Sequence, residues 1–126
     1  MVKQKGRVND FDESLVYVSL QDGRAVECVI DTGFNGWLSF PRNLAEELQL
    51  PIVGKEKISL LSKRKLTCPI ALARIHWLEE RLHVNVIIND GEDVLLGTQL
   101  LKGSILRINY RNRRLTIQKP TAPQVQ

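Results

Sequence analysis

From residue 15 to residue 117 the apolar residues fall into short runs broken by tight-turn signals, and one segment alone carries clear helical spacing. That pattern constrains the fold more than anything else in the chain. Residues 15–20 and 25–30 read as two strands joined by Gln21-Asp22-Gly23-Arg24, whose Asp-Gly pair favours a tight hairpin. Residues 37–40 form a third, short strand. Pro41 then stands at a plausible first helical position ahead of residues 42–50, where Leu44 and Leu48 share a face and Pro51 stops the helix. Residues 57–61 and 66–75 read as the arms of a hairpin tipped by Ser62-Lys63-Arg64-Lys65, with Pro69 marking an edge or a bulge. Residues 82–88 are a further strand and 94–97 a brief buried run. Residues 98–102 suit one or two helical turns, and 105–110 and 114–118 close the chain as a basic hairpin. The expectation is one mostly-β domain over residues 1–119, a closed β-barrel with one or two short helices, and a flexible tail over 120–126.

The chain has 126 residues, 43% of them hydrophobic, enough for one compact core. No run approaches the ~20 apolar residues of a membrane span. The basic start has no apolar stretch behind it, so no signal peptide is expected and a cytoplasmic protein without membrane contact is the expectation. Cys28 and Cys68 are too few for a disulfide framework and lie in apolar runs, as buried thiols do. With His76 and His83 they match no zinc spacing, so neither metal nor cofactor is expected. The formal charge is +4, and its surplus gathers at Lys63-Arg64-Lys65 and at Arg111, Arg113 and Arg114. Solvated hairpin tips account for these clusters. Nucleic-acid binding is not expected, because the interleaved aromatic residues of single-strand binders are missing.

One carboxylate stands apart. Asp31 comes directly after the apolar run Val26–Ile30, where a rigid strand end places its side chain, and Thr32 and Gly33 succeed it. The tripeptide alone also fits an ordinary turn. Context changes that reading: Gly36 lies three residues beyond Gly33, and a late apolar-apolar-glycine element, Leu95-Leu96-Gly97, precedes a helix-like segment.

In this order, the parts resemble the single-domain retropepsin-like aspartic proteases, most of all the small bacterial ones. The resemblance spans roughly residues 15–117. It rests on Val29-Ile30-Asp31-Thr32-Gly33, Asn35-Gly36-Trp37-Leu38 and the helix after it, Leu95-Leu96-Gly97, and the closing strands. It implies Asp31 as the catalytic residue on a loop threaded through the Leu95-Leu96-Gly97 crossing. Thr32 would bond across to a partner copy, Gly33 would leave room for substrate, and Phe34, Leu95 and Leu96 would bind substrate side chains. The chemistry needs two carboxylates sharing one proton, one to take a proton from water and one to donate to the carbonyl oxygen. The chain holds a single Asp-Thr-Gly, so the resemblance implies a homodimeric aspartic endopeptidase acting on peptide or protein substrates. Phe34 stands where many members carry a small residue, and the hairpin expected to cover the cleft has a basic tip without glycine. A dimer of the same fold that binds extended peptides or acts as a scaffold without efficient catalysis is the alternative.

Overall fold

The computed structural model describes residues 1–59 and 62–120. Ten strands form one sheet: β1 (Val2–Val8), β2 (Ser14–Leu20), β3 (Ala25–Ile30), β4 (Leu38–Pro41), β5 (Ile52–Ser59), β6 (Lys65–Trp77), β7 (Glu80–Asn89), β8 (Leu95–Leu96), β9 (Ile105–Asn109) and β10 (Arg114–Lys119). One α-helix, α1 (Arg42–Glu47), and a single 3₁₀ turn, Thr98–Leu100, complete the secondary structure of the described residues. The strand order is β5-β6-β7-β4-β8-β3-β2-β1-β10-β9. A further pairing, Ser19 with His76 and Leu20 with Ile75, joins β2 to β6. The expected barrel therefore takes the form of a mostly-β sheet that bends back on itself at this contact, with β5 at one free edge and β9 at the other.

Alternation decides which side of each strand is inside. In β2, Val16, Val18 and Leu20 are buried while Tyr17 and Ser19 are exposed. In β7, Val84, Val86 and Ile88 point inward between exposed His83 and Asn85. Leu38 and Phe40 of β4 have no exposed surface, and each such buried side chain contributes roughly 1.5–3 kcal/mol. The core also takes in Trp77, whose indole N–H donates to the Leu100 carbonyl at 3.0 Å and so fastens the 3₁₀ turn to the sheet.

The turns follow local chemistry with two departures. Gly23 takes a φ of +95° between β2 and β3, as the Asp-Gly signal requires. Between β6 and β7, Leu78 and Glu79 adopt φ of 48° and 66°, a conformation that two-residue hairpin loops demand and that side chains resist. Pro41 is not the first helical residue. It is the last residue of β4, paired with Asn89, and caps the helix in extended conformation, because its register with β7 holds the backbone straight. The helix ends early, with Gln49 at a φ of +56°. Pro69 lies where β6 is paired with β5 but not yet with β7, so its missing N–H breaks no ladder on the second side. The register shift in this hairpin falls on β5, between Ile52 and Gly54.

β1 extends the expected core at its amino-terminal side, and β5 begins at Ile52 rather than near Lys57. Of the long hairpin's expected arms, residues 60 and 61 lie outside the described residues, as do 121–126 of the expected tail. No helix is long and apolar enough to cross a membrane among the described residues.

Both cysteines are free and buried. Burial pushes the Cys28 thiol up to about 12 from an ordinary 9.0, with the Glu27 charge adding to the effect. The unfolded chain therefore loses this proton first. The stability that depends on a neutral thiol is complete below pH 9 and drains away between pH 9 and 12, at up to ~1.4 kcal/mol per pH unit. Urea midpoints at pH 7, 9 and 10.5 should fall less steeply in Cys28→Ala than in the parent. Equal slopes would contradict the assignment.

Candidate active site

β3 carries the chain to Asp31, and β8 holds the loop beyond it. Val29 and Ile30 pair in parallel with Leu95 and Leu96, while Leu38 and Ser39 pair antiparallel with Leu96 and Leu95. The two-residue β8 therefore lies between the strand entering the Asp31 loop and the strand leaving it. The Asp31 N–H donates to the Leu96 carbonyl at 2.9 Å, and the Gly97 N–H to the Trp37 carbonyl at 2.9 Å. In the middle, Thr98 and Gln99 donate to the carbonyls of Phe34 and Gly36 at 2.9 and 3.1 Å. Residues 31–37 are thus fastened at both ends and at the centre. Beyond β7, the Asn89 side-chain amide donates to Ser39 Oγ and to the Asp93 carbonyl, each at 2.9 Å, which fixes the approach to β8.

The carboxylate is oriented from its own loop. Asp31 Oδ1 accepts the Gly33 N–H at 2.9 Å, and the Asp31 carbonyl accepts the Phe34 N–H at 3.1 Å. A Cβ on Gly33 would stand 3.2 Å from Oδ1, so the glycine keeps the space beside the carboxylate open. Asp31 is partly exposed, and Thr32 and Gly33 are more so. Among the described residues no group of three or more His, Cys, Asp or Glu is placed to hold a metal ion.

The loop divides two concavities. Asp31, Thr32 and Leu95 line one of about 360 Å³, walled by Leu106, Ile108 and Tyr110 at β9 and its end. Gly33, Phe34 and Trp37 line the other, of about 480 Å³, beneath Glu56–Ser59 of β5 and against Ile87. Of the expected site residues, Asp31, Thr32 and Leu95 share one side, and Gly33 and Phe34 the other. Leu96 is apart from both: its side chain has no exposed surface, and only its carbonyl reaches the loop.

Phe34 is not a free wall of the second concavity. A Cβ on Gly36 would meet its ring at 2.6 Å, and one on Gly97 would meet it at 2.7 Å. Two glycines therefore form the floor on which the ring lies. Trp37 lines this concavity with Ile58, the half-buried member of an otherwise exposed β5. The single apolar residue between Lys57 and Ser59 is the signal that could have marked it.

No known family model matches the sequence. An uncharacterized protein of Archaeoglobus fulgidus is 29% identical over 108 residues, 82% of this chain and 84% of that protein. The crystal structure of a retropepsin-like aspartic protease from Rickettsia conorii superposes with a TM-score of 0.58 at 15% identity, over 91% of this chain and 89% of that one. The chain shares that fold. A foamy viral protease–reverse transcriptase in complex with an RNA/DNA hybrid also superposes, with a TM-score of 0.50 at 14% identity, over 69% of this chain and 11% of the viral one.

Proposed function

We propose that the protein is an aspartic endopeptidase that works as a homodimer, with Asp31 of each protomer meeting on the two-fold axis. The observation that carries this reading is the placement of Asp31. It ends β3, its backbone is bonded to β8, and its carboxylate is set by the Gly33 amide, within a fold shared with a retropepsin-like aspartic protease. One chain supplies one such carboxylate, and the reaction needs two.

In the dimer the two Asp31 side chains hold one proton and one water between them. The ionised carboxylate takes a proton from the water as its oxygen attacks the peptide carbon. The protonated one gives its proton to the carbonyl oxygen. Collapse of the resulting diol breaks the C–N bond, the amine leaves with a proton returned from the pair, and no covalent intermediate forms. Thr32, exposed beside Asp31, bonds to the partner loop and holds the two carboxylates in register. Substrate lies extended, with apolar side chains against Phe34, Trp37 and Leu95 and the β5–β6 hairpin above it. Such a site favours peptides with bulky apolar residues around the cut bond.

The test incubates the purified protein with a mixed peptide pool across pH 3–8, reads new termini by mass spectrometry, and measures mass by sedimentation alongside. Cleavage beside apolar residues by a dimer is the expected result. A protein that binds peptides but generates no new termini at any pH would overturn the assignment in favour of the peptide-binding alternative.

A further inference from the structure

We propose that the solvent face of β1, β10 and β9 binds the sugar-phosphate backbone of nucleic acid, independently of its sequence. In the register of these strands Lys3 pairs with Gln118, Lys5 with Thr116 and Arg7 with Arg114. Across the next ladder Gln118 pairs with Ile105, Thr116 with Arg107 and Arg114 with Asn109. Directly paired residues point to the same side of a sheet. Lys3, Lys5, Arg7, Arg107 and Arg114 therefore stand on one face, all exposed. The opposite face carries Leu115 and Ile117, which are buried in the core.

No acidic residue occurs in β1, β9 or β10. Arg7 leans on Glu27 at 3.2 Å, while Lys3, Lys5, Arg107 and Arg114 have no ion-pair partner among the described residues. Cations this crowded repel one another, and a bound polyanion would relieve that repulsion. Along β1 the charges repeat about every 7 Å, and neighbouring strands are ~4.8 Å apart, so the face spans roughly 14 by 10 Å. With Arg7 held by Glu27, the other four cations of the face are free to neutralise about four phosphates of a duplex.

The neutral residues on the face select among polyanions. Asn109, Asn112, Thr116 and Gln118 line the same shallow groove of about 670 Å³ and offer hydrogen bonds to phosphate and sugar oxygens. No aromatic ring stands among them to stack a base, which favours backbone contact over base reading. A membrane surface fits less well, since within β1, β9 and β10 Ile105 at the sheet edge is the one exposed large apolar side chain on this face. Leu106 and Ile108 alternate to the other side of β9 and line the Asp31 concavity. The basic face and the candidate active site are thus back to back and can be occupied together.

Fluorescence anisotropy with a labelled 20-base-pair DNA duplex tests this. Binding is expected at 50 mM salt, with a log–log salt slope of about −3 to −5 for four or so phosphates. Joint reversal by Lys5→Glu, Arg107→Glu and Arg114→Glu should weaken binding at least tenfold. The neutral set Lys5→Gln, Arg107→Gln and Arg114→Gln should weaken it less, with a thermal midpoint no lower than the parent's. Reversing Lys63, Arg64 and Lys65 to Glu changes the net charge equally and should leave affinity within about twofold, once the salt is high enough to screen distant charge. Asp31→Asn should bind as the parent does. Absence of duplex binding, equal loss from both reversals, or capture by phosphatidylserine vesicles in preference to the duplex would overturn the proposal.

Discussion

Asp31→Asn should abolish peptide cleavage, by at least 10²-fold if proton transfer by this pair contributes as such groups usually do, while the fold stays intact. The amide has the shape of the carboxylate, and its oxygen can still accept the Gly33 N–H that Oδ1 accepts at 2.9 Å. The backbone bond from Asp31 to Leu96 does not involve the side chain. Thermal midpoint and dimer mass should therefore match the parent, so the loss is chemical rather than structural. Mixing sharpens the result. If each site needs a carboxylate from both protomers, a ninefold excess of the variant should leave about a tenth of parental chains paired with one another, and activity per parental chain should fall about tenfold after subunit exchange. Activity unaffected by mixing would mean one chain suffices. Cleavage by pure Asp31→Asn at the parental rate would remove Asp31 from the mechanism altogether.

The half of this site that is local was legible in the sequence. A β-branched run ending in Asp-Thr-Gly placed Asp31 at a strand end, and Leu95-Leu96-Gly97 is the element that crosses it. The part that was not legible depended on register. Leu95 and Leu96 look equivalent as residues, yet adjacent positions of a strand face opposite ways, so one reaches the concavity and the other fills the core. Alternation alone separates them, but only pairing with Val29 and Ile30 says which is which.

β1 was hidden for a different reason. Its inward positions are Val2, Gln4, Gly6 and Val8, a weak apolar face, and its outward ones are charged. It is a strand because Val2 to Arg7 pair with residues 114–119 at the far end of the chain, and no local signal reports a partner that distant. Gly6 is wedged between that pairing and β2: a Cβ there would stand 2.2 Å from the Leu15 carbonyl and 2.9 Å from the Leu115 side chain. Lys63 and Arg64 do lie between β5 and β6, and Arg111 and Arg113 between β9 and β10, but the fold also sets the amino-terminal lysines beside Arg107 and Arg114. β5 has the same origin, exposed almost throughout and ordered as a strand by β6.

Gly97→Ala should be among the most damaging single changes outside the deep core. The added Cβ would lie 2.2 Å from the Gly36 carbonyl oxygen and 2.7 Å from that of Phe34. Those oxygens accept the N–H groups of Gln99 and Thr98, so backing away from the methyl breaks the bonds that fasten the Asp31 loop at its centre. Overpacking costs ~1–3 kcal/mol, and each lost hydrogen bond about 1 kcal/mol more. The sum is a loss of ~3–5 kcal/mol, a large part of a typical domain's stability and a fall in thermal midpoint on the order of 10 °C or more. Gly54→Ala is the matched control, since nothing lies within 4 Å of the new atom, and its midpoint should hardly move. Gly36→Ala separates ring from backbone. Its Cβ meets only the Phe34 ring, at 2.6 and 2.7 Å, so Phe34→Ala should rescue Gly36→Ala in a double-mutant cycle. The same partner substitution should rescue Gly97→Ala poorly, because two carbonyl oxygens still stand in the way. If Phe34→Ala relieved both glycine variants equally, the ring alone would be crowding the crossing. The tight backbone passage through β8 would then not be what holds Asp31 in place.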